Sequence, residues 1–107
     1  MKLSVLTNLF GDLSLDEALA KFEKLGIECV EIGCGGYPGK AHCDPKVLLA
    51  DDKALDEFKA TFARHRIDIC ALSVHGNPVH PDKAIAASFH EDFVDAVLLA
   101  ESWASTP

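Results

Sequence analysis

The chain has 107 residues, 49% of them apolar and 25% charged, with a formal net charge of -7. That length fits one small domain with a real core, and the composition is that of an ordinary globular protein with no bias towards disorder. The acidic balance argues against nucleic-acid binding, which needs clustered Lys and Arg, and no stretch approaches the ~20 apolar residues of a membrane span.

The N-terminus, with one Lys and a short apolar run interrupted by Asn8, does not read as a signal peptide, so a cytoplasmic location is expected. Leu3 to Thr7 predicts a buried strand and Asn8 to Leu13 a loop. Ser14 then caps a helix, with Glu17 completing a capping-box pattern. Leu15, Ala18, Leu19, Phe22 and Leu25 form its apolar face, and Gly26 ends it in a left-handed cap.

Ile27–Ile32 predicts a second strand, followed at once by a loop through Gly33, Gly35, Gly36 and Gly39 to Pro45. The glycines only partly resemble a dinucleotide fingerprint: the spacing is wrong and no helix follows directly. A short helical turn is expected at 46–50, then a helix capped by Asp51 or Asp52, with Leu55, Phe58 and Phe62 inward, ending near Arg66. Arg64-His65-Arg66 is the kind of basic helix end that offsets the macrodipole.

Ile67 to Val74 predicts the third strand, leading into His75-Gly76-Asn77-Pro78-Val79-His80-Pro81, a loop stiffened by two prolines. The last helix starts near Asp82 and passes Leu99, with Ile85, Phe89, Phe93, Ala96, Val97 and Ala100 on one face. The four cysteines show no C-x-x-C spacing and are expected as thiols. Cys29 and Cys70 read as small core residues, whereas Cys34 and Cys43 read as loop residues that could approach a metal or a substrate.

Alternating strands and helices with apolar strands predict a parallel sheet covered by helices. Right-handed crossovers then bring every strand's C-terminal end to one rim, where such folds bind ligands. Asn8, Glu31, the Gly33–His42 loop and the His75–His80 loop all fall on that rim. Glu31 ends an otherwise buried strand, where a carboxylate needs a partner or a task. His75 ends an apolar strand, and His80 could turn back to the same cavity; with Glu31 they could hold a divalent ion, although spacing alone does not establish a site. His65 and His90 are expected on helix surfaces away from the rim.

The combination of Glu31-Ile32-Gly33, Gly35 to Gly39, His42-Cys43 and Leu72 to Pro78 resembles the sugar phosphate isomerase/epimerases with a xylose-isomerase-like (β/α)8 TIM barrel, a superfamily shared with apurinic endonucleases. The resemblance runs from Met1 to about Glu101 and implies an α/β fold in which the chain supplies the N-terminal three βα units of the barrel, left incomplete, with a divergent tail at 102–107. It further implies isomerisation or epimerisation of a sugar by proton transfer next to a carbonyl, assisted by a divalent metal (Mn, Mg or Zn). The family's metal ligands and catalytic carboxylates come mainly from later strands, so no residue is assigned to them and the chain alone is expected to be inactive and metal-free. Glu31, His42, His75, Asn77 and His80 match the first-half rim and are expected to contact a small sugar substrate, with His75 also a possible metal ligand. The tail Glu101-Ser102-Trp103 to Pro107 lacks a glycine cap and a fourth strand, as a truncated or frameshifted frame would. Exposed edges would then favour self-association. A hydrolytic or endonuclease-like barrel and a non-catalytic α/β module are the alternative readings.

Overall fold

A computed structural model describes residues 3–104; Met1, Lys2 and the tail residues 105–107 lie outside the described residues. Three strands, β1 (Ser4–Leu6), β2 (Cys29–Gly36) and β3 (Asp68–His75), form one parallel sheet in the order β1-β2-β3. Four α-helices connect and follow them: α1 (Leu15–Lys24), α2 (Pro45–Ala50), α3 (Asp52–His65) and α4 (Lys83–Ala104). Strand type, direction and sequential order agree with the sequence reading.

Local chemistry sets the helix boundaries. The Ser14 hydroxyl accepts from the Glu17 N–H at 3.2 Å while the Glu17 side chain bonds back, so the expected capping box forms at α1. Gly26, at φ 78°, supplies the left-handed turn after it. Asp44 caps α2 and Asp51 caps α3, each accepting the N–H two residues on. Arg66 closes α3 at φ 57°, a left-handed conformation for a non-glycine residue.

The core lies between the sheet and the helices. Val30, Ile32 and Cys34, alternate residues of β2, enter it beside Leu19 and Phe22 of α1, Leu55, Phe58 and Phe62 of α3, and Ala96 and Leu99 of α4. Their alternation leaves Cys29 and Glu31 on the opposite face of β2. Trp103 completes an aromatic cluster, its ring 5.6 Å from those of both Phe58 and Phe62.

Several expectations are corrected. Gly33 to Gly36 are not loop but the second half of β2, paired to β3 through Gly33↔Ser73 and Gly36↔His75. Two close approaches explain the glycines: a Cβ at Gly33 would lie 2.7 Å from Asn8 Oδ1, and one at Gly36 would lie 2.2 Å from the His75 carbonyl oxygen. β1 ends at Leu6, and Thr7–Phe10 winds into a 3-10 turn instead of an open loop. Leu25 is exposed, because it is the capping residue where the chain leaves α1. On α4 the expected apolar face is largely uncovered: Phe93 is 56% and Val97 50% exposed, while Ala96 and Leu99 are buried. That stripe flanks the outer edge of β3, where no further strand pairs among the described residues. α4 also runs on through Ser102 and Trp103 into the expected tail. No helix among the described residues is long and apolar enough to cross a membrane.

Candidate functional site

The strand register places Glu31 level with Ala71, Gly33 with Ser73 and Gly36 with His75. Parallel pairing therefore stacks the C-terminal ends of β2 and β3 side by side, as the βαβ order requires. The Ser73 hydroxyl donates to Glu31 Oε2, which secures one carboxylate oxygen of a half-buried acid. Glu31, Ser73 and His75 share a cleft of about 430 Å³ with Ala71, Leu72 and Phe93 among its other walls. A carboxylate acceptor, a hydroxyl and an imidazole among apolar lining residues suit a small polyhydroxy ligand.

His75 has two roles. Its carbonyl accepts from the Tyr37 N–H at 2.6 Å, which fixes the main chain at the top of the sheet. Its side chain is exposed at the end of β3. Asn8 stands on the same rim, its amide donating to the Pro38 carbonyl at 2.8 Å and holding the loop after β2 against Gly33.

The other expected contact residues are placed differently. His42 is buried and its Nε2 bonds the Leu13 carbonyl at 2.8 Å, tying the loop before α2 to the loop before α1. Asn77 Oδ1 accepts from the Val79 N–H at 3.2 Å and its carbonyl from the His80 N–H, so it shapes its own turn. His80 Nδ1 accepts from the Asp82 N–H at 3.0 Å, which ties the ring to the start of α4. Glu31 and His75 are thus brought together, whereas His42, Asn77 and His80 are engaged in loop structure. Among the described residues no three His, Cys, Asp or Glu side chains converge to hold a metal ion.

His65 lies off the rim, as expected, with Nε2 2.7 Å from Asp16 Oδ1 and Nδ1 2.9 Å from Glu23 Oε1 on α1. The carboxylates of Glu23 and Asp16 raise its pKa above the ordinary histidine value. His90 is a correction: its exposed side chain lines a cleft with Val74, Gly76 and Pro78, beside the loop that follows β3. A helix that follows a parallel strand begins at the rim, so its first turns stay near it.

Asp92 is the residue the sequence reading missed. It reaches from α4 to the end of β2, accepting the Gly36 N–H at 2.9 Å and the Lys40 ammonium at 3.1 Å. Burial opposes its ionisation, but the Gly36 N–H and Lys40 outweigh that and hold its pKa below the ordinary carboxylate value. The available signal was the acidic spacing of Glu91, Asp92 and Asp95, three carboxylates within two turns of the helix. Glu91 and Asp95 both pair with Lys46 of α2.

The cysteines are redistributed as well. Cys70, expected in the core, is exposed at the irregular step where β3 carries one more residue than β2, and its thiol contacts Ser4 Oγ and the Val30 carbonyl. Cys34, expected in a loop, is buried within β2; Cys43 is a loop residue but buried too.

No protein-family model matches the chain, and no solved structure matches it. Over 98 residues, 92% of its length, the chain is 31% identical to the uncharacterized protein YfiH of Bacillus subtilis (strain 168). The aligned stretch is 31% of that protein, so the chain spans about a third of the length of the curated relative it matches.

Proposed function

We propose that the chain is the N-terminal part of a cytoplasmic sugar or sugar-phosphate isomerase/epimerase barrel, and that it supplies substrate contacts and not the catalytic machinery. The observation that carries this reading is the cleft along the β2–β3 pair that Glu31, from the first half of β2, lines together with Ser73 and His75 from the C-terminal end of β3. Sugars are recognised by carboxylates, hydroxyls and imidazoles that accept and donate hydrogen bonds in fixed directions, and this wall carries one of each. In the proposed role Glu31, steadied by Ser73, accepts from a substrate hydroxyl through its remaining oxygen, and His75 bonds a neighbouring oxygen. The family resemblance adds the reaction class: proton transfer next to a carbonyl. In this reading the ligands of the divalent metal that this chemistry uses come from other parts of a complete barrel. The greater length of the YfiH protein is consistent with that division.

The experiment is a two-dimensional NMR titration of the chain with a panel of aldoses, ketoses and their phosphates. Shifts concentrated at the amides of Glu31, Ser73 and His75, and lost in Glu31→Gln, are expected. A panel that moves none of those signals at millimolar concentration would sink the sugar reading.

A further inference from the structure

We propose that the cleft lined by Val74, Gly76, Pro78, Phe89, His90 and Phe93 is a subsite for an aromatic ring attached to the sugar, so that the substrate class is an aryl glycoside. The inference rests on the sugar reading of the Glu31 cleft and narrows it.

The two clefts share walls. Side chains alternate along β3, so Ser73 and His75 face one side of the sheet and Val74 the other. The Glu31 cleft is lined by all three, and it therefore wraps round the edge of β3 that no strand covers among the described residues. Val74 and Phe93, on its α4 side, also line the second cleft. A ligand with a polar half and an apolar half can then occupy both at once.

The second cleft measures about 300 Å³, and every residue on it except His90 is apolar. An apolar cavity of roughly 150 Å³ already admits benzene, so a phenyl ring fits with room for a substituent. Its walls are set before a ligand arrives. Gly76 lets the Phe89 ring lie against the main chain, since a Cβ there would fall 2.3 Å from Phe89 Cδ1. The Tyr37 ring packs on Phe89 as well, with 5.2 Å between centroids and a tilt of 57°. Pro78 has a locked φ and Val74, being β-branched, a restricted χ1. A wall already ordered loses little freedom on binding, and a rigid ring loses less than an alkyl chain. Phe89 and Phe93 stand one turn apart on the same face of α4, where two rings can engage a third in tilted or offset contacts. His90, exposed, supplies the polar group that orients a ligand in such clefts, here through a ring hydroxyl or the glycosidic oxygen.

The test records two-dimensional NMR spectra of the 107-residue chain with phenol, and with the phenyl and methyl glycosides of a panel of hexoses and pentoses. Phenol alone should move the signals of Val74, Phe89 and His90. A phenyl glycoside should move those together with Glu31, Ser73 and His75. It should also bind about tenfold tighter than its methyl counterpart, the gain expected for half-burying a ring. Phe89→Leu should remove that gain. If this variant unfolds, nuclear Overhauser contacts between the phenyl protons and the Val74 methyls of the unmutated chain decide the matter. Phenyl and methyl glycosides of equal affinity that move only Glu31, Ser73 and His75 would overturn the aryl subsite and leave the sugar reading standing. Signals at Val74 and His90 that answer to phenol while no glycoside moves Glu31 would overturn both, as would a panel that moves none of them. Shifts at Val74, Phe89 and His90 on dilution of the ligand-free chain, with none from phenol, would assign the cleft to a second copy and overturn the proposal.

Discussion

Ser73 donates its hydroxyl proton to Glu31 across the β2–β3 pair, so the one acid on the face of β2 turned from the core is held by a neighbour on the next strand. A hydrogen bond to a charged group is worth ~1.5–3 kcal/mol, and half-exposure of Glu31 places this one at the low end. Ser73→Ala should therefore cost about 1.5 kcal/mol in a urea melt and weaken sugar binding, whereas Ser73→Thr should retain most of both. Equal binding by the alanine variant and the parent would show that Glu31 needs no such support.

His65 makes stability depend on pH in a defined direction. Its pKa is raised in the folded chain, because Glu23 and Asp16 favour the imidazolium. A group with a raised folded pKa contributes fully below its unfolded value, ~6.5, and loses that contribution as pH rises through the folded value. The melting temperature should fall between pH 6 and the mildly alkaline range (~8, beyond the unfolded value), and His65→Gln should flatten that slope. A slope unchanged by the substitution would place the titration elsewhere.

Trp103 closes the aromatic cluster at the far end of α4. It is half-buried, so Trp103→Ala should cost about 2 kcal/mol, less than the ~3–5 kcal/mol of a fully buried aromatic such as Phe62. Denaturant midpoints of Trp103→Ala and Phe62→Ala measured together give the ranking. The reverse order would show that the last turn of α4 anchors the fold more than the α3 core.

Phe93 and Val97 lie exposed on α4 along the open edge of β3. Apolar surface beside unpaired strand edges drives association. Light scattering of the chain should show mass rising with concentration, and Phe93→Glu with Val97→Glu should shift it towards the monomer value of 11.5 kDa. A parent chain that stays monomeric at all concentrations would contradict this.

Added metal should leave the melt unchanged. A bound ion at a hundredfold excess over its Kd would stabilise by ~2.7 kcal/mol. Scans with Mn, Mg and Zn should superimpose on the metal-free scan, and a steep rise with any of them would mean that Glu31 and His75 belong to a complete metal site.

The elements that were legible in the sequence were those governed by local chemistry. The capping box at Ser14 and Glu17, the turn at Gly26 and the alternation of Val30, Glu31 and Ile32 depend on neighbours a few residues away. What was illegible depended on partners distant in the chain. Gly33 to Gly36 look like a loop because glycine is poor strand material, yet at Gly33 and Gly36 the approach of Asn8 and of His75 is so close that only glycine fits. The exposure of Cys70 follows from an irregular pairing step that no run of apolar residues announces. On the rim, residue type identified His75 as the end of a strand, whereas Glu31, expected at the end of β2, lies in its first half because the strand continues to Gly36; whether a loop histidine faces a cavity or its own backbone is decided by turn geometry. Sequence alone therefore did not show that His42 bonds the Leu13 carbonyl or that His80 bonds the Asp82 N–H.

Because the fold engages His75 through its carbonyl and leaves its imidazole at the surface, the architecture asks nothing of the side chain at that position. Sequence drift among relatives at position 75 would then record a change of ligand and not a change of stability. For an engineer it is a socket: a position where a new reactive group can be installed while the seam between β2 and β3 stays shut.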